Sequence, residues 1–583
     1  MLHELANYAV RYNIRSVPGF KTKTVRWTIV LSQNGQFVNI LEEKRQFMQA
    51  PVLEQSELVA GGITRSHFLL DAVNVVTGYE ADGEKEMDKH RYFVGLLEQA
   101  AQYEQTLGKI AVLLSDRETV ALINEILKTL KAKKNDLVTF RVGQYYPIDL
   151  TTWHDWWQQY RNSLKPGDES EKQRMVCLLS GEITQPLATH FKISGLSRVG
   201  GQATGTVLVG FDKNSFTSYG LEQSHNAPCS EASASLYRSA LDDLIAKAPP
   251  PLAGAMFLSW FKEPVPNEDN IIDLTILENP DADEASARAK VEQLVAAVKE
   301  GKRPDLMRNR YYILQVSATG GRIMVRDWLE GGFLDLAVSI RQWFSDLEIV
   351  SPNGGRAAEF KLLAGLIRLV SYRKNELLQK TMERIHNELA PLMPRIWRSI
   401  LCNLPLPDTV ARKSLNYIRS KMNAAGDDNQ TDNLDRISCA LLKAWLMRNK
   451  SCEGGLAMES NLNPEHPSPA YQAGRLMAIL ADIQHSALGD VGAGVVQRYY
   501  AAASSTPALV LGRLVRGAQY HLNKLDKGLA VWYEKQLAEI MSRLGSNLPS
   551  TLTLEGQTLF ALGYYQQKAD MFNRGNKKSR EEE

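Results

Sequence analysis

Val25–Leu41, VRWTIVLSQNGQFVNIL, decides how the chain begins to fold. Apolar and polar residues alternate on both sides of Asn34-Gly35, which is the period of a half-buried strand. Asn-Gly is the pair that most readily takes the positive φ values of a two-residue type I′ turn, so a β-hairpin is expected here. Upstream, MLHELANYAVRYNIRSVPGF reads as a helix stopped by Pro18-Gly19. Downstream, Lys89–Lys134 has helical period, with Phe93, Leu96 and Leu97 and then Leu122, Ile126, Leu127 and Leu130 on apolar positions, and it leads into strand-like VTFRVG. From Met175 to Gly210 short apolar runs alternate with Gly-rich loops, and AMFLSWF reads as a further strand. A helix over Ala282–Glu300, strands YYILQVSA and GRIMVRDWL, and a helix from near Phe333 follow. Residues 1–350 therefore read as α+β.

The pattern changes at Ser351-Pro352-Asn353-Gly354-Gly355, a loop signal without apolar partners. Beyond it nearly every segment has helical period, broken by NAAGDDNQTDN and by the Gly/Pro/Ser-rich stretch Ser451–Pro469. The fold class is an α+β N-terminal region followed by an all-α C-terminal helical bundle. Boundaries near Gly354 and Gly454 give three parts: 1–350, 356–452 and 458–583. The terminal KSREEE is expected to fray, and no internal repeat points to a solenoid.

Composition narrows the class of function. Across 583 residues, 68 Lys+Arg balance 66 Asp+Glu to a formal charge of +2, which excludes a globally basic packer of nucleic acid but not charge gathered into patches. The five cysteines, Cys177, Cys229, Cys402, Cys439 and Cys452, are scattered without a C-x-x-C pair, against a disulfide framework or zinc ribbon and for a reducing compartment. No apolar run reaches the ~18 residues of a membrane span, and the N-terminus lacks the apolar core of a signal peptide. A cytoplasmic protein is expected.

Familiar catalytic signatures are missing: no P-loop, H-E-x-x-H, nucleophile elbow or kinase set occurs. The one His-Asp doublet, His154-Asp155, sits among Trp153, Trp156, Trp157 and Tyr160. It either decorates a helix whose aromatic rings pack inward or marks a metal-dependent nuclease or nucleotide-handling enzyme with an unrecognised site, the alternative reading of the chain. No metal, cofactor or catalytic residue is assigned.

Two stretches suit a phosphate backbone. KISGLSRVGGQATGTVLVGFDKNSFTSYG places Gly195, Gly200, Gly201, Gly205 and Gly210 between Lys192, Arg198 and Lys213. Glycines admit close backbone approach and the flanking cations neutralise phosphate; Gln202, beside Thr204, carries the donor and acceptor that a base edge requires. The same glycines could equally serve hairpin turns. Near the C-terminus, Thr506-Pro507 opens and Gly528 closes an expected helix 507–527, on which Arg513, Arg516, Tyr520, Lys524 and Lys527 share one face. That stripe is either a track for nucleic acid or a solvated basic face.

The run from Arg174 to Leu241, RMVCLLSGEITQPLATHFKISGLSRVGGQATGTVLVGFDKNSFTSYGLEQSHNAPCSEASASLYRSAL, resembles the signature region of the large subunit of the type I-C CRISPR Cascade complex. The Gly-Gly-Gln element and Tyr219-Gly220-x-x-Gln223-x-x-Asn226-Ala227-Pro228 carry the resemblance, and YYILQVSATGGRIMVRDWLEGGFLDL and ALVLGRLVRGAQYHLNKLDKGLAVWYEKQLAEIM extend it over essentially the whole chain. Where such proteins often carry Asp-Asn-Ala-x-Tyr-Val-x-Gly, this chain has Asp71-Ala72-Val73-Asn74-Val75-Val76-Thr77-Gly78, so the polar residue is displaced to Asn74.

The resemblance implies a non-catalytic subunit of an RNA-guided antiviral complex that recognises the protospacer-adjacent motif on double-stranded DNA and supports R-loop formation. Its implied partners are the target DNA, the guide RNA (crRNA), the Cascade backbone and crRNA-handle-binding subunits, a small helical subunit, and a helicase-nuclease recruited after the R-loop forms. On this reading Lys192 and Arg198 contact phosphates and Gln202 base edges, with Gly201, Thr204 and Asn226 nearby, while Arg513, Arg516, Lys524 and Lys527 hold displaced strand. The family further suggests that Met458 is an internal start for the small subunit, preceded by Glu453-Gly454-Gly455 whose codons are purine-rich; a plain Glu-Gly-Gly linker explains the same residues.

Overall fold

In the computed structural model Phe20–Leu31 pairs antiparallel with Phe37–Pro51, as the alternation requires. The turn differs from the expected one. The Ser32 N–H donates to the Gln36 carbonyl and the Gly35 N–H to the Ser32 carbonyl, so the loop has three residues, Gln33–Gly35. Only Gly35 takes positive φ, at 88°. A three-residue loop needs one left-handed residue at its end, which leaves Asn34 in ordinary backbone space.

The structure describes residues 1–14, 17–54, 57–58, 64–81, 83–164, 174–275, 284–355, 360, 362–424, 435–449, 458–489 and 494–581. They divide into two compact units, one of residues 1–247 with 318–324 and one of 248–317 with 325–583. Most of NAAGDDNQTDN and the Glu453-Gly454-Gly455 segment lie outside the described residues.

The first unit is built on a four-stranded sheet. Phe20–Leu31 lies between Phe37–Pro51 and the parallel strand Leu137–Val142, whose far side pairs with Asp71–Ala72. Val25, Trp27, Ile29 and Leu31 point into the core with Phe140, Phe68 and Trp157. Helices Glu84–Ala100, Gln105–Ser115 and Arg117–Thr129 cover that core. In the last of these Ile123 and Leu127 are buried, whereas Leu122 and, just past its end, Leu130 are exposed. The inward stripe is thus one residue out of phase with half of the expected positions. Asp116 starts that helix by accepting the Thr119 N–H at 3.2 Å.

Charge also lies inside this unit. Arg161, only 2% exposed, donates to Glu57 at 2.8 Å and to Glu231 at 2.6 Å. Arg238 engages Glu54 and the Phe20 carbonyl. Burial alone would push the Glu54 carboxyl up, but Lys21 and Arg238 hold it below its ordinary value. For Glu57 burial wins over Arg161 and the carboxyl is raised.

The second unit is predominantly helical. Met256–Phe261 pairs antiparallel with Arg310–Thr319, which neighbours Arg322–Gly332, and the helices from Phe333–Leu347 onward enclose one continuous apolar core from Ala253 to Met571. Helices Pro469–Leu488 and Leu554–Glu581 approach closely at two glycines: a Cβ on Gly474 would lie 2.0 Å from the Phe560 carbonyl oxygen, and one on Gly563 2.2 Å from that of Tyr471. The last helix continues to Glu581, into the stretch expected to fray. Fold class accordingly follows the sequence reading, with strands in the N-terminal region and helices beyond it. No helix among the described residues is long and apolar enough to cross a membrane.

Candidate nucleic-acid interface

The Gly-rich stretch of the first unit folds as a small antiparallel pair, Lys192–Ile193 with Thr206–Val207, closed over a tight loop. Ser197–Val199 forms one 3-10 turn; the Gly200 N–H then donates to the Ser197 carbonyl and the Gly201 N–H to the Leu196 carbonyl at 2.9 Å. Gly200 has φ 92°, and a Cβ there would sit 2.4 Å from the Ala318 carbonyl oxygen. At these two glycines the backbone close by is the protein's own, and both N–H groups are taken. The turn alternative therefore accounts for Gly200 and Gly201.

What the loop offers outward is side chains. Arg198, Gln202 and Thr204 are exposed, and Lys192 is half-buried. The Gly205 N–H closes a turn on the Gln202 carbonyl at 3.0 Å, fixing the tip. Gly201 bridges in parallel to Gly320, the Val207 N–H donates to the Gly321 carbonyl at 2.8 Å, and the Gln202 amide lies over Gly321. Two Gly-Gly turns, Gly200-Gly201 and Gly320-Gly321, are thereby locked together, and Gln202 is carried on the junction. The sequence displays both pairs but gives no local sign that they meet.

Asn226 occupies the next loop, half-buried. Its Nδ2 donates to the Leu221 carbonyl at 3.0 Å and to the Gln223 carbonyl at 3.1 Å, so its amide braces the loop from inside. The loop is anchored below by His190, whose ring bonds the Ala227 carbonyl at 3.0 Å and the Tyr237 hydroxyl at 2.8 Å. Burial lowers the His190 pKa, which keeps the ring neutral. At the tip stands Tyr219, 100% exposed, with φ 50°. Sequence reasoning assigned it no role of its own; its place in a Tyr-Gly pair is the one signal that could have marked a turn tip.

The basic face of the second unit is divided. The helix opens at Thr506-Pro507 as expected but ends at Leu522, and a second helix, Lys527–Leu544, begins at once. Asp526 caps it by accepting the Leu529 N–H at 3.0 Å, so Gly528 lies in a first turn rather than at a stop. Arg513, Arg516 and Tyr520 share an exposed face with Leu509, the last two side chains 72% and 78% exposed respectively. Lys524 falls in the connecting turn and Lys527 on the next helix, both exposed. The single five-residue stripe is thus corrected to three residues on one helix and two beyond it. Leu511, Ala518 and Leu522 fill the core side.

Of two other candidates, one is buried and one half-buried. Asn74 is buried in the short helix Val73–Thr77, its Nδ2 donating to Glu86 at 3.0 Å. His154 lies with its ring 4.7 Å from Phe20 and 4.4 Å from Trp153, and burial lowers its pKa. Trp153, Trp156 and Trp157 pack around Phe68, as the inward-packing alternative required. Among the described residues no group of three or more His, Cys, Asp or Glu side chains is placed to hold a metal ion. Met458 is buried in the apolar core of its unit.

A protein-family model described as CRISPR-associated protein (Cas_Csd1) matches residues 5–572. No curated protein matches the chain.

Proposed function

The chain belongs to the CRISPR-associated Cas_Csd1 family over nearly its whole length, and from that premise we propose that it is the non-catalytic large subunit of a type I-C RNA-guided surveillance complex. In this reading it recognises the protospacer-adjacent motif on double-stranded DNA and supports R-loop formation, in the cytoplasm and as part of antiviral defence. Base pairing with the guide RNA supplies most of the sequence specificity, and the protein reads the short motif and the backbone shape. The backbone and crRNA-handle-binding subunits and a small helical subunit assemble with it, and a separate helicase-nuclease cuts.

The observation that carries the reading is the rigid presentation of Arg198, Gln202 and Thr204 on a loop fixed by packed glycines. Their chemistry is that of phosphate and base-edge recognition: a guanidinium, an amide with both donor and acceptor, and a hydroxyl. Preorganised donors lose little entropy on binding. Asn226 enters as the brace of the neighbouring loop, and Asn74 is not presented to solvent.

Binding of the reconstituted complex to duplexes with intact and scrambled motifs tests the proposal. Wild type is expected to prefer the intact motif, and Gln202→Ala to lose about 1–3 kcal/mol of that preference. Equal affinity of the wild-type complex for both duplexes would sink it.

A further inference from the structure

The segment Asp212–Gly220 is exposed throughout. Its base is fixed by Arg322, which pairs with Asp212 and lies over the Phe216 ring at 4.7 Å. Its tip is a tight turn: the Leu221 N–H donates to the Ser218 carbonyl at 2.8 Å, and the two central residues, Tyr219 and Gly220, have φ of 50° and 74°. Glycine takes such a conformation freely, whereas tyrosine takes it at a cost. The Tyr219 ring recovers none of that cost by packing, since it is wholly exposed. Asn226 holds the turn from below through the Leu221 carbonyl. A strained, braced and unpacked aromatic side chain is a feature that folding alone does not account for.

The surroundings identify what the ring meets. Between Asp212 and Gly220 the chain offers Lys213, Asn214, Ser215, Thr217 and Ser218, all donors. Its one acid, Asp212, is occupied by Arg322. Donors around a flat π-face fit a polyanion that itself presents flat π-faces, which is the chemistry of nucleic acid with a base exposed from its stack.

We propose that Tyr219 stacks on a nucleobase exposed where the target duplex opens beside the motif. This rests on the reading that the first unit contacts duplex DNA. The ring then contributes affinity without sequence preference, while Gln202 supplies preference.

The test uses the full reconstituted complex and target DNA carrying 2-aminopurine beside the motif. Tyr219→Asn keeps the turn, because asparagine tolerates left-handed backbone, and removes the ring; Tyr219→Phe keeps the ring. The expected result is quenching of 2-aminopurine by wild type and Tyr219→Phe. Tyr219→Asn should lose the quenching and about 5- to 150-fold in affinity, with its ratio of intact to scrambled motif unchanged. Wild-type quenching and affinity in Tyr219→Asn would overturn the inference alone. So would failure of Tyr219→Asn to enter the complex while still folding, because the ring would then fill a protein pocket. A wild-type complex blind to the motif would overturn the underlying reading instead.

Discussion

Both units have an apolar core and buried charge, and they differ in how their elements meet. In the first, charge is carried into the interior: Arg161 between Glu57 and Glu231, Arg238 beside Glu54, all drawn from segments far apart in sequence. The second buries a pair too, Arg448 with Asp346 at 2.6 Å, and adds helix-to-helix backbone contact between Pro469–Leu488 and Leu554–Glu581 at Gly474 and Gly563. A buried ion pair fixes orientation but contributes little net stability, whereas its half-removal is severe. A glycine contact tolerates no added atom. The first arrangement specifies which irregular segments meet, and it is the first unit that carries the irregular loops.

Removing one ion is expected to have the largest effect. Arg161→Met removes the cation that Glu57 and Glu231 share, at a cost of about 3–5 kcal/mol. The sign of its pH dependence is fixed by Glu57. Burial already raises that carboxyl in the folded chain, with Arg161 opposing; without Arg161 it rises further. A raised carboxyl is tolerated below its ordinary value and penalised as pH climbs through the folded value. The variant should therefore be closest to wild type in acid and weakest near neutrality. Urea unfolding at several pH values checks this, and Arg161→Met/Glu57→Gln should recover part of the loss. Hydrogen exchange should rise in His154–Ser163 and Glu231–Lys247 but not in Pro469–Leu488; a rise shared by both units would erase the contrast.

Gly474→Ala is the reciprocal experiment. In an open helix the exchange would gain about 1 kcal/mol. Here the new methyl meets the Phe560 carbonyl, so a loss at the upper end of about 1–3 kcal/mol is expected. The contacts at risk are the Tyr471 hydroxyl to Gln566 at 2.5 Å and Arg475 Nε to Gln567 at 2.8 Å. Faster exchange should be confined to the second unit. A stabilised Gly474→Ala protein would mean that these helices are not in backbone contact.

Sequence legibility depends on distance along the chain and not on the unit. Periodicity found the hairpin and the helix beginning at Pro507, because each is specified by neighbours a few residues away. It missed the helix end at Leu522, since the Asp526 cap, which starts the next helix, competes with a Gly528 that looked like a stop. Nothing local announces Arg161, whose partners are 104 and 70 residues distant. The Gly-rich loop was visible as a loop, yet which glycines face protein and which side chains face solvent depends on the segment around Ala318. Asn226 drew notice as an amide, and its Nδ2 donates to two carbonyls within its own loop, while Tyr219 is the exposed group.

The two candidate surfaces carry the comparison into function, with a smaller expected effect. Gln202 lies on a loop locked at both ends, so its removal should change preference among duplexes. Arg513 and Arg516 lie on a regular helix beside Tyr520, exposed to solvent. Long flexible cations on a helix face neutralise phosphate without reading bases. Arg513→Gln/Arg516→Gln should thus weaken binding of all target sequences alike and reduce the slope of log affinity against log salt by about 1.4, the value for two contacts to a single strand. The ratio of intact to scrambled motif should stay at the wild-type value. An unchanged slope would return this face to ordinary solvation, and a changed ratio would move sequence reading into the helical unit, against the division that separates Gln202 from the arginines.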